Sequence, residues 1–120
     1  MTAPTIQEHL DKLKRVRDAG SRDAELATLK DLITDYYHIG DMSSLESYAQ
    51  ELVLKAKEYR KPEAEMEGQE ALARLASEVK HDNRQALFYA KRAYEAALKA
   101  QDKWGLDRYK DMIEYYDKQP

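Results

Sequence analysis

With 120 residues, 42% of them apolar and 36% charged, the chain has the size of one domain and the composition of amphipathic helices with solvated outer faces. Twenty basic residues against 23 acidic ones leave a net charge of −3 with neither sign in a long block, which argues against a nucleic-acid partner. Cysteine is absent, excluding disulfides and thiolate metal sites, and no apolar run approaches the ~20 residues that a membrane span needs.

The first predicted helix follows Pro4, where Thr5 and Glu8 have capping-box spacing. It presents Ile6, Leu10, Leu13 and Val16 on one face and ends at Gly20. Ser21 caps a second helix that carries Leu26, Leu29, Leu32, Ile33, Tyr36 and Ile39 and stops at Gly40. Ser43 and Glu46 form a further capping box, opening a helix with Leu45, Tyr48, Ala49, Leu52 and Ala56 inward. Pro62 suits the first turn of the fourth helix, whose stripe is Met66, Leu72, Ala73, Leu75, Ala76 and Val79. Asp82 or Asn83 caps the fifth, with Ala86, Tyr89, Ala90, Ala93, Tyr94 and Ala97 on its inner face. The chain is expected to turn near Gln101 to Gly105, and the sixth helix then carries Leu106, Tyr109, Met112, Ile113 and Tyr116. No linker longer than about six residues separates these segments, so residues 1–120 read as one domain with a flexible 1–4 and a frayed 118–120.

A motif returns every 40 residues. Lys30-Asp31-Leu32-Ile33 recurs as Lys110-Asp111-Met112-Ile113, with Leu72-Ala73 midway, and the same spacing aligns Leu26, Met66 and Leu106. The odd-numbered helices align Ile6 with Leu45 and Ala86, and Leu10 with Ala49 and Ala90. A fixed period in this range marks stacked helical hairpins, none of which buries its apolar face alone. Leu32, Tyr36, Gly40, Asp41, Tyr48, Ala49 and Leu52, followed by Leu72, Ala73, Ala76, Ala86, Tyr89, Ala90 and Ala93, carry a resemblance to the tetratricopeptide (TPR) repeat family in a longer, degenerate form. The likeness covers roughly residues 22–118. It departs where Ile33 and Ile113 replace the family's small residue, and where Leu29 and Gln69 stand at its aromatic position, which Tyr109 fills in the last repeat.

The resemblance implies an all-α fold, a right-handed superhelix of about three antiparallel αα-hairpins and six helices. It implies a concave groove lined by Ala27, Lys30, Thr34, Tyr37 and His38, then Glu67, Glu70, Arg74, Ser77 and Glu78, then Asp107, Lys110, Glu114, Asp117 and Lys118. Six acids and four bases make that groove mildly acidic. Only Lys30 matches the clamp with which chaperone-binding relatives hold a terminal carboxylate, so that role is rejected. The expected ligand is an extended peptide or helix carrying Lys or Arg with an apolar anchor. Plain solvation of these side chains is the competing reading.

Tyr36, Tyr48, Tyr89, Tyr94, Tyr109 and Tyr116 fall on core stripes, whereas Tyr37, Tyr59 and Tyr115 fall off them. Tyr37 beside His38 is thus the aromatic expected to meet a partner. Trp104, at the start of the last helix, is expected to cover the end of the core. His9, His38 and His81 belong to separate segments without metal-ligand spacing, and there is no phosphate-cradling Gly loop and no nucleophile elbow. The chain is therefore expected to be non-catalytic and without cofactor, and the start Met1 to Glu8 lacks the regions of a signal peptide. A cytoplasmic adaptor without membrane or nucleic-acid partners is the expected function. The alternative is a structural or self-associating repeat module, engineered or cut from a longer protein, that dimerises or docks through Met112, Ile113, Tyr115 and Tyr116 of the C-terminal helix.

Overall fold

The computed structural model describes residues 6–120. The predicted Thr5–Glu8 cap and the flexible segment 1–4 lie outside the described residues. The described residues form six helices and no strand: α1 Ile6–Asp18, α2 Arg22–Ile39, α3 Met42–Glu58, α4 Pro62–Glu78, α5 Asn83–Ala100 and α6 Lys103–Asp117. The chain is therefore all-α.

The helix ends follow a regular scheme. Gly20, Gly40, Arg60, His81 and Gln101 adopt the left-handed conformation, with φ between 53° and 76°, at intervals of 20 or 21 residues. The next residue begins the following helix as its N-cap: Ser21, Asp41, Lys61, Asp82 or Asp102. One left-handed residue plus one capping residue thus makes each turn, and helices joined so tightly must lie side by side. Asp41, Asp82 and Asp102 accept the backbone N–H groups of Ser44, Gln85 and Gly105 at 3.0–3.1 Å.

Two predicted starts are corrected. The cap of α3 is Asp41 rather than Ser43, because its carboxylate accepts both the amide (3.1 Å) and the hydroxyl (2.7 Å) of Ser44. Glu46 is left to pair with Lys80, just past the end of α4. Helix α6 begins at Lys103, inside the expected turn of Gln101 to Gly105, so Gly105 is helical. Gly105 is buried, and a Cβ there would meet the Met66 Sδ at 2.7 Å and the Ala97 Cβ at 3.3 Å. Its role is close approach, not chain reversal.

Each helix packs against its neighbours in the chain. Adjacent helices run antiparallel: α1 meets α2 through His9–Asp35 at one end and Arg17–Glu25 at the other. Helices α2 and α3 meet through the stacked Tyr36 and Tyr48 rings (5.5 Å) and the Tyr59–Glu25 hydrogen bond. Alternate helices run parallel at a near-constant offset. Lys30 reaches Glu67, Glu70 reaches Arg108, and Tyr109 reaches Glu70, over 37, 38 and 39 residues. The 40-residue recurrence of the sequence is therefore expressed as side-chain bonds from α2 to α4 and from α4 to α6.

The core changes character along the chain. Leu13, Leu26, Leu29, Leu32 and Leu52 fill it between α1, α2 and α3. Small residues dominate further on, where Ala73, Ala76, Ala86, Ala90, Ala93 and Ala97 allow α4, α5 and α6 to approach closely around Tyr109 and Tyr116. Gly68 serves the same end, since a Cβ there would stand 2.7 Å from Val53 Cγ2 and 3.3 Å from the Ala49 carbonyl oxygen. Val79, expected inward, is exposed at the end of α4. Trp104 does not cover the core: 64% of its surface is exposed, and the Arg108 guanidinium lies over its ring at 5.3 Å.

Candidate functional site

Two adjoining cavities run along α2, α4 and α6, the first also walled by Met42 and Leu45 of α3. The first, of about 200 Å³, has a floor of Ile33, Met42, Leu45, Ala71, Leu75 and Val79, with Thr34, Tyr37, Arg74 and Glu78 around it. The second, of about 480 Å³, shares Arg74 and Glu78 and continues over Trp104, Asp107, Arg108, Asp111, Met112 and Tyr116. The first cavity is mainly apolar with a few charged groups at its rim, and it continues into a more polar trough. Across the two, three acids (Glu78, Asp107, Asp111) face two bases (Arg74, Arg108).

Of the expected groove residues, the structure brings Thr34, Tyr37, Arg74 and Glu78 together at the first cavity. Tyr37 is half exposed, held edge-on by His38 at 5.9 Å, and thus presents a ring with few internal contacts. Thr34 hydroxyl donates back to the Lys30 carbonyl (3.2 Å), which turns its methyl group outward from the helix backbone. Arg74 and Glu78 form an exposed pair one turn apart, at 3.4 Å. Lys30 and Glu67 pair with each other across α2 and α4 at 3.0 Å. Both are largely exposed, and a solvated pair of this kind contributes little to stability. His38, Lys110 and Glu114 are exposed but line neither cavity.

Glu70 has a different role from the one expected. Its two oxygens accept hydrogen bonds from Arg108 Nε (3.0 Å) and Nη2 (2.7 Å), and one also accepts from the Tyr109 hydroxyl (2.8 Å). Burial raises the pKa of this carboxyl, but the Arg108 and Tyr109 hydrogen bonds and the Arg108 charge outweigh that and hold it below its ordinary value. The Tyr109 hydroxyl is pushed well above its own range, first by burial and then by donation to Glu70. The same trio recurs at the other end of the chain. Glu25 is buried, yet hydrogen bonds from Tyr59 and Arg17, with the charges of Arg17 and Lys55, keep it ionised below its ordinary value. Arg17 also pairs with Glu51 on α3, so one guanidinium ties three helices together. Tyr59, expected off the core stripes, is half-buried through this bond.

The expected C-terminal docking face is mostly occupied from within. Tyr116 is buried, and Met112 and Ile113 pack against Ala73, Ala76, Ala86 and Ala90. Tyr115 alone of the four points outward, with 59% of its surface exposed. The residues that sequence reasoning missed are the apolar floor, Ile33, Met42, Leu45, Leu75 and Val79, together with Trp104 and Asp111. Apolar side chains on a core stripe carry no signal that distinguishes a cavity floor from a filled core, whereas Met42, one residue past the Gly40-Asp41 turn, lay off any stripe.

Among the described residues no three His, Cys, Asp or Glu side chains are grouped to hold a metal ion, and no helix is long and apolar enough to cross a membrane. Comparison with protein-family models, with curated proteins and with solved structures finds no match to the chain.

Proposed function

We propose that the protein is a non-catalytic interaction module of TPR-like architecture, a short superhelical stack of helical hairpins that holds a peptide or helix along α2, α4 and α6. The observation that carries this reading is the apolar cavity beneath the half-exposed Tyr37, continuous through Arg74 and Glu78 with a trough of mildly acidic balance. Such a site takes one apolar anchor in the cavity and sets basic neighbours against Glu78, Asp107 and Asp111. Parallel contact between alternate helices at a constant offset supports the stacked arrangement.

The test compares partner recovery by the wild type with recovery by Tyr37→Ala/Glu78→Lys, followed by titration of the purified partner against both. Loss of at least tenfold in affinity at unchanged melting temperature is the expected result. Equal affinity, or recovery of nothing except the chain itself, would refute the groove reading in favour of a structural, self-associating module. Glu70 is left intact in this design, because its substitution would weaken the joint between α4 and α6 and confound loss of binding with loss of stability.

A further inference from the structure

We infer that the surface built by α3, α4 and α5, on the other face of α4 from the groove, is a second binding surface. It takes an acidic peptide segment with an aromatic or large apolar side chain at its centre. This inference stands independently of the groove.

The first observation is Gln69. It lies in the 40-residue register with Leu29 and Tyr109, both tightly packed core residues, and is itself 4% exposed. Its Oε1 is buried without a hydrogen-bond partner among the described residues. A leucine would satisfy this position without leaving an acceptor unmet, as it does at Leu29. Gln69 lines a cavity of about 240 Å³ with Val53, Leu72, Phe88 and Tyr89, so the missing donor is one that enters from outside. Swinging the side chain outward about χ1 and χ2 brings both ends of the amide to that cavity, where a peptide group supplies a donor to Oε1 and an acceptor to Nε2.

The second observation is the aromatic shelf beside it. Phe88 is half exposed, set edge-on to Tyr89 at 5.3 Å, with the Arg92 guanidinium 5.2 Å above its ring. An entering aromatic or aliphatic side chain would pack between Phe88, Leu72 and Val53 and remove this surface from water.

The third is charge. Lys57 belongs both to this cavity and to a neighbouring one of about 260 Å³ that adds Arg60, Lys61 and Lys99. Lys57, Arg60 and Lys99 have no carboxylate partner among the described residues, whereas Lys61 pairs with Asp23 at 3.3 Å and Arg92 stands 3.7 Å from Glu95. Glu65 is the carboxylate that lines the pair of cavities, against five cations. This face is therefore basic, opposite in sign to the groove. A nucleic acid would need a longer row of cations and would leave the apolar cavity unused. An acidic peptide uses both.

The experiment titrates a fluorescein-labelled peptide, one Phe flanked by Asp and Glu, against the full chain by fluorescence anisotropy. Saturable binding is expected, weakened at least tenfold by Lys57→Glu/Lys99→Glu and several-fold by Gln69→Leu. Gln69→Leu should melt no lower than wild type, which separates loss of binding from loss of fold, and Tyr37→Ala in the groove should leave binding unchanged. Absence of binding, equal binding by either variant, or displacement of the peptide by a single-stranded oligonucleotide of the same charge would overturn the inference.

Discussion

Replacing Glu70 by Ala tests whether this carboxylate fastens α4 to α6 or merely faces solvent. The substitution strands the Tyr109 hydroxyl, which sits on a side chain only 1% exposed, and a buried donor without a partner costs about 1–3 kcal/mol. Arg108 loses a two-point hydrogen bond, but its side chain is 38% exposed and falls back into water, so this part is worth only about 1 kcal/mol. Together the loss is about 2–4 kcal/mol. With an unfolding entropy of ~2.1 cal/mol/K per residue, a chain of 120 residues melts roughly 8–16 °C lower for that loss. Thermal and urea unfolding followed by far-UV circular dichroism measures it. Tyr109→Phe removes the hydroxyl but leaves the ion pair, and should cost about 1 kcal/mol. In the double variant no hydroxyl is stranded, so its loss should fall short of the two single losses added together. A Glu70→Ala loss below about 1 kcal/mol, or strict additivity, would refute the reasoning.

Further outcomes are expected of other sites. Glu25 and Glu70 sit below their ordinary value of 4.5 when folded, so the unfolded chain takes up protons first as pH falls. Their contribution is complete above that value and is lost as pH drops through the lower folded values; urea midpoints across the acid range should decline accordingly, and less steeply in Glu70→Gln. Arg60→Gly and Gln101→Gly should each stabilise the chain by about 0.5–1 kcal/mol, because both residues hold the left-handed conformation that costs a Cβ-bearing residue free energy; melting temperatures report it. Gly68→Ala should destabilise by about 1–2 kcal/mol despite its better helix propensity, since the new methyl meets the stiff Val53 side chain and the α3 backbone. Gly105→Ala faces a flexible Met66 thioether instead and should lie within about 1 kcal/mol of wild type in urea unfolding.

The helices were legible because burial follows the 3.6-residue period, as Leu45, Ala49, Leu52 and Ala56 illustrate. Their starts were less so. Ser43 reads as the cap of the third helix, but the left-handed Gly40 places the next residue, Asp41, at the helix entrance. Gly105 reads as a turn because sequence alone cannot separate a glycine that frees the backbone from one that makes room for Met66 and Ala97. Thr34, Tyr37, Arg74 and Glu78 were reached through the resemblance to the TPR family, which implied them as groove residues, and the structure gathers them at one cavity. The commitment of Glu70 was not, because its partners lie 38 and 39 residues on and nothing local marks them.

Among the described residues, the hydrogen bonds and ion pairs named above between helices join residues no more than 39 apart in the chain. None of them ties the first helix to the last. Contacts this local permit rapid folding, because little chain must be brought together before each contact forms. They also leave the molecule without a shear clamp. Drawn apart by its ends, it should peel helix by helix at low force, giving short, even steps of extension rather than one abrupt rupture.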